Sequence, residues 1–99
     1  MSTIEFDLGI VGDGQLGMMI TEAAHDEGLR VAVVGDGPNS PAAQVGAEVI
    51  MGGIRDEKAI AQLALLSSVV TIEVEHINGA AYQHAEERYG NTQPKPETL

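Results

Sequence analysis

The sequence predicts an α/β fold: a parallel sheet of four or five strands with helices on both faces. Three observations carry this. Short apolar runs alternate with longer stretches of helical period, which is the pattern of β-α-β units. One run, Val31-Ala32-Val33-Val34, is apolar without a break, as a strand buried on both faces requires. The 99 residues, 43% hydrophobic and 20% charged, suit one globular domain with a single modest core.

Taken in order, Phe6, Leu8 and Ile10-Val11 read as a first strand that ends at Gly12. Residues 15–27 read as a helix. Leu16, Met19, Ile20, Ala23 and Ala24 fall on one stripe, and Gly28 supplies the C-terminal stop. The second strand is 31–34. Gly35-Asp36-Gly37-Pro38-Asn39-Ser40-Pro41 is dense in turn formers and reads as a loop. Residues 48–51 form a third strand. Asp56 is placed to cap a helix that turns Ala59, Ile60, Leu63, Ala64 and Leu66 inward. Residues 68–74 form the fourth strand. Asn78 can cap a last helix over 79–89, packing through Ala81, Tyr82, Ala85 and Tyr89, and 91–93 is the candidate fifth strand.

Charge and composition exclude several functions. Five basic residues stand against 15 acidic ones, a net charge of −10. Nucleic-acid backbones and anionic membrane surfaces both demand clustered Lys and Arg, so neither is an expected partner. There is no Cys, hence no disulfide, thiolate metal site or Cys nucleophile. No apolar run reaches the ~20 residues of a membrane span, and the start lacks the basic segment of a signal peptide. These features fit a cytoplasmic protein. His25, His76 and His84 have no metal-ligand spacing, so no metal site is expected.

The most informative local feature is Gly12-Asp13-Gly14-Gln15-Leu16-Gly17, a G-x-G-x-x-G between a strand and a helix. Its first glycine allows the tight turn and its second lets a ligand approach the backbone. The third lets the helix pack close to the strand, and the helix N-terminus offers free N–H groups to an anion. This is the phosphate-binding turn of Rossmann-like domains. Asp13 places a negative charge in that turn, where it would face a pyrophosphate. Asp36, 19 residues beyond Gly17, has the spacing of a ribose-binding acid but falls in the loop after the second strand.

Four segments occur in order: Gly12-Asp13-Gly14-Gln15-Leu16-Gly17-Met18-Met19, Pro38-Asn39-Ser40-Pro41-Ala42-Ala43-Gln44-Val45, Val69-Val70-Thr71-Ile72-Glu73-Val74-Glu75-His76-Ile77 and Pro94-Lys95-Pro96-Glu97-Thr98-Leu99. Together they resemble the N-terminal, pre-ATP-grasp domain of 5-(carboxyamino)imidazole ribonucleotide synthetases, over essentially the whole of residues 1–99. The resemblance implies a single Rossmann-like substrate-binding domain of an ATP-grasp ligase of purine biosynthesis. That family carboxylates aminoimidazole ribonucleotide with bicarbonate at the expense of ATP, with Mg²⁺. By the same resemblance, Gln15, Leu16 and Glu73 contact the ribonucleotide, with Glu75 and His76 as further candidates, and no residue of this domain is catalytic. ATP and Mg²⁺ belong to the other domains of the full-length enzyme, which would be this domain's partners, and no cofactor is expected on the domain itself. A homodimer is left open, and the isolated chain is expected to be inactive.

Met18 stands where the family commonly has Arg, Ile72 where it has Tyr, and Gly35-Asp36-Gly37 where it has Asp-Pro-Asp. Two other readings remain at this stage. The glycine turn and Asp36 could belong to an NAD(P)-binding domain of an oxidoreductase. The chain could also be a non-catalytic stand-alone relative.

Overall fold

The computed structural model describes residues 4–53 and 55–72. The elements are β1 (Phe6–Val11), α1 (Gln15–Asp26), β2 (Val31–Gly35), α2 (Pro41–Gln44), β3 (Glu48–Met51), α3 (Glu57–Leu66) and β4 (Ser67–Ile72). All strand pairs are parallel, in the order β3-β2-β1-β4. Val11 of β1 lies beside Val34 on one side and Ile72 on the other, so the carboxyl ends of the central strands are level. The four expected strands are thus present. The expected helix 79–89 and fifth strand 91–93 lie outside the described residues.

The sheet is covered on both faces, as the unbroken apolar run of β2 requires. Ala32 and Val34 join Val11, Val70 and Ile72 under Ala59, Ile60, Leu63 and Ala64 of α3. Val31 and Val33 join Ile10 on the other face, under Ala24 of α1 and Ala42 of α2. Period-two alternation divides a uniformly apolar strand between two cores. Gly9 sits at the centre. A Cβ there would lie 2.5 Å from Ser67 Oγ and 2.8 Å from Leu63 Cγ, so its absence lets the junction of α3 and β4 rest on β1.

The helix ends follow their local chemistry. Past α1, Gly28 takes φ +76°. Its N–H donates to the His25 carbonyl at 2.9 Å, and the Leu29 N–H donates to the Ala24 carbonyl at 3.0 Å. This pair of bonds closes a helix C-terminus around a left-handed glycine. Asp56 caps α3 as expected, its carboxylate accepting from the N–H groups of Lys58 and Ala59.

Three expectations need correction. The buried stripe of α1 is Gly17, Thr21 and Ala24 with Ile20 half-buried, whereas Leu16 and Met19 are 44% and 60% exposed and Ala23 is exposed. Ile20 and Ala24 are the α1 residues that join the core under this face of the sheet, and the larger Leu16 and Met19 lie on the exposed side of the helix. Thr21 is tolerated on the buried side because its hydroxyl donates to the Gly17 carbonyl at 2.7 Å. Secondly, the turn-rich segment leads into the short helix α2, which begins at Pro41. Thirdly, β4 starts at Ser67, directly after α3, one residue earlier than expected, and Leu66 is only half-buried.

Candidate functional site

The glycine turn leaves the carboxyl end of β1. Gly12 is buried with φ +119°, a conformation that side chains disfavour, and its N–H donates to the Val34 carbonyl at 3.0 Å. Gly14 is the N-cap of α1 and has no side chain to cap the helix. The first turn also lacks an acidic residue. Its outward N–H groups therefore keep the partial positive charge of a helix N-terminus. Gln15 and Leu16 open α1 and are both exposed, while Gly17 behind them is buried. The structure thus brings Gln15, Leu16 and the glycine turn together at the carboxyl edge of the sheet, where open α/β sheets hold ligands. The last residue of β4, Ile72, pairs with Val11 at this same edge. Glu73, Glu75 and His76 lie outside the described residues.

Asp13 does not turn toward a ligand over α1. Its carboxylate reaches sideways to the end of β2 and accepts the Asp36 N–H at 3.0 Å. Its backbone carbonyl accepts the Ala42 N–H at 3.1 Å. Two loops 23 residues apart are thereby tied together. Asp36 also needs correction: β2 continues to Gly35, so Asp36 follows the strand directly and is exposed. Asp13, Asp36, Gly37, Pro38, Asn39 and Ser40 line an open cleft of about 410 Å³, with no Lys or Arg among the described residues of its wall.

The Pro38–Val45 motif acts structurally here. Ser40 caps α2 by accepting the Ala43 N–H at 3.3 Å, and Pro41 follows at the first helical position, where its missing N–H costs nothing. Ala42 is fully buried, and the Gln44 amide donates to the Asn39 carbonyl at 2.9 Å. These contacts hold the loop that Asp13 grips. Sequence reasoning missed the bracing role of Asp13. A signal was available in Gly35, whose lack of a side chain makes room for the Asp13 carboxyl.

At the opposite end of the sheet, Asp7 pairs with Arg30 at 3.3 Å and also accepts its backbone N–H at 2.8 Å. The side-chain hydrogen bond from Arg30, then that from its backbone, hold the Asp7 carboxyl below its ordinary range. Among the described residues no group of His, Asp or Glu is arranged to hold a metal ion, and no helix is long and apolar enough to cross a membrane.

A parallel sheet of order β3-β2-β1-β4 with a glycine turn leading from β1 into α1 defines a Rossmann-like α/β domain. The particular kind follows from comparison with known proteins. The family model described as the ribonucleotide synthetase preATP-grasp domain matches residues 3–99, and the chain belongs to that family. Among curated relatives, a phosphoribosylaminoimidazole carboxylase of Ogataea methanolica is 40% identical over 95 residues, covering 93% of this chain and 18% of its own. The crystal structure of N5-carboxyaminoimidazole ribonucleotide synthetase from Thermotoga maritima superposes with a TM-score of 0.86 at 36% identity, over 95% of this chain and 26% of that one. An N5-carboxyaminoimidazole synthase from Aspergillus clavatus, solved with ADP and 5-aminoimidazole ribonucleotide, gives 0.83 at 32% identity, over 96% and 25%. The chain therefore spans about a fifth of the curated relative's length and about a quarter of these solved chains.

Proposed function

We propose that this chain is the substrate-holding pre-ATP-grasp domain of an ATP-dependent 5-(carboxyamino)imidazole ribonucleotide synthetase, working in purine biosynthesis in the cytoplasm. The observation that carries this reading is the pairing of exposed Gln15 and Leu16 with an α1 N-terminus whose N-cap, Gly14, has no side chain, at the carboxyl edge of the sheet. Family membership makes aminoimidazole ribonucleotide the fitting ligand, and the Aspergillus relative was solved with that compound.

In this reading the Gln15 amide hydrogen-bonds the ribonucleotide, and the backbone N–H groups of Gln15 and Leu16 face its oxygens. Leu16, turned out of the core, packs on its apolar surface. Glu73, the residue after Ile72, accepts hydrogen bonds from ribose hydroxyls, with Glu75 and His76 further along the same segment. All of these residues bind and orient substrate, and none moves a proton or forms a bond. ATP and Mg²⁺ are held by the remaining domains of the parent enzyme and supply the activated phosphate that drives carboxylation.

The test is Glu73→Gln and Gln15→Ala in the parent enzyme. A hydrogen bond involving a charged group contributes roughly 1.5–3 kcal/mol, so Glu73→Gln should raise KM for the ribonucleotide about ten- to hundredfold. Gln15→Ala should raise the same constant by a smaller factor, and KM for ATP and kcat should be little changed in both. A collapse of kcat at saturating ribonucleotide would assign these residues to the chemistry instead, and unchanged kinetics would remove them from the site.

A further inference from the structure

The chain carries both parts of a dinucleotide-binding fingerprint, the glycines 12, 14 and 17 and an acid directly after β2, Asp36. In dinucleotide-binding domains the ribose rests on that acid, over the end of β2 and beside the glycine turn. Here that space is already filled from within. The Asp13 carboxylate extends across it and accepts the Asp36 N–H at 3.0 Å.

We propose that Asp13 is an internal ligand of the glycine turn and its specificity-determining residue: its carboxylate occupies the ribose position over β2 and keeps NAD-type dinucleotides out. Three further observations support this. The carboxyl group lies directly on the strand end, because a Cβ at Gly35 would collide with the Asp13 carboxyl group. The backbone of Asp13 is held by the Ala42 N–H, which donates to its carbonyl at 3.1 Å. A nucleotide entering this cleft would meet the carboxylates of Asp13 and Asp36, with no Lys or Arg among the described residues of the lining to offset them.

The cleft is open to solvent and holds about 410 Å³. Asp36 stands free on its outer side, able to accept a 2′,3′-diol. What prevents occupation is therefore one side chain rather than the architecture. Blocking the β2 side leaves the outward N–H groups of α1, with Gln15 and Leu16, to a ligand on the side of β1 and β4. The inference rests on the fold and the Asp13 contacts and stands whether or not the ribonucleotide assignment holds.

The experiment is a fluorescence titration with NADH of the wild-type chain, Asp13→Gly, Asp13→Asn and Asp13→Gly/Asp36→Ala. Asp13→Ala serves in place of the glycine variant if three successive glycines do not fold, with far-UV circular dichroism and urea unfolding as the check. The wild type should show no saturation up to about 1 mM, which corresponds to roughly −4 kcal/mol of binding. Asp13→Gly should gain saturable binding at least about tenfold tighter, and the double variant should lose it. NADPH, whose 2′-phosphate would face Asp36, should not show the gain. Asp13→Asn, which fills the same space without the charge, should stay as weak as the wild type. Wild-type binding as tight as that of Asp13→Gly would overturn the proposal. So would a folded glycine or alanine variant without any gain, or an Asp13→Asn variant that binds as well as Asp13→Gly.

Discussion

Gly35→Ala tests how firmly the two loops at the carboxyl edge are locked together. Gly35 does not adopt positive φ, so its backbone accepts an alanine. In open surroundings such a change stabilises a protein by about 0.4–1 kcal/mol through the unfolded chain. Here the new Cβ would overlap the Asp13 carboxyl group and lie 2.5 Å from the Asp13 Cβ. Rotating the carboxyl relieves only part of this, because the Asp13 Cβ is fixed by its backbone, which in turn is held to Ala42. The turn has to lift, and overpacking of this kind costs about 1–3 kcal/mol. For a domain near 100 residues each kcal/mol moves Tm by roughly 4–8 °C. The assay is urea unfolding of the wild type, Gly35→Ala, Asp13→Gly and the double variant. Removing the Asp13 side chain removes all three of the nearest obstacles to the new Cβ. The cost of Gly35→Ala should therefore largely disappear in the Asp13→Gly background, leaving a coupling of at least about 1 kcal/mol, well beyond the ~0.3–0.5 kcal/mol scatter of independent sites. Equal costs in both backgrounds, or a Gly35→Ala chain as stable as the wild type, would refute the reasoning.

Two other outcomes follow from the same structure. Asp56→Ala strips the cap from the Lys58 and Ala59 N–H groups and should lower stability by about 0.5–2 kcal/mol in urea unfolding, with Asp56→Asn recovering most of it. Asp7, lowered by Arg30, favours folding in its ionised form, so its contribution is complete above the ordinary carboxylate range and is lost as pH falls through the depressed folded value. The stability difference between wild type and Asp7→Asn should be constant near neutral pH and shrink only in that acid window. It should also weaken with added salt, because the pair is exposed. A difference that persists at the acid end would point to packing instead of charge.

The sequence by itself determined the four described strands, the two longer described helices and their turn chemistry. Val31-Ala32-Val33-Val34 has to be a strand covered on both sides, Gly28 has to end α1, and Asp56 has to cap α3, because each outcome depends on residues within one turn or one strand. The glycine turn and the placement of Gln15 at its rim were readable for the same reason. The phase of α1 was not. Counting large apolar side chains favours Leu16 and Met19, but the buried side of the helix is Gly17, Thr21 and Ala24, with Ile20 packed against the core, and only the tertiary structure decides which side is covered. Nor was the start of α2, since Ser40 and Pro41 serve a loop and a helix N-terminus equally well. The orientation of Asp13 belonged wholly to the tertiary structure. A charged side chain in a turn faces either a ligand or its own protein. It faces its own protein here because parallel pairing of β1 with β2 brings the Asp36 N–H, 23 residues away in sequence, within hydrogen-bonding distance.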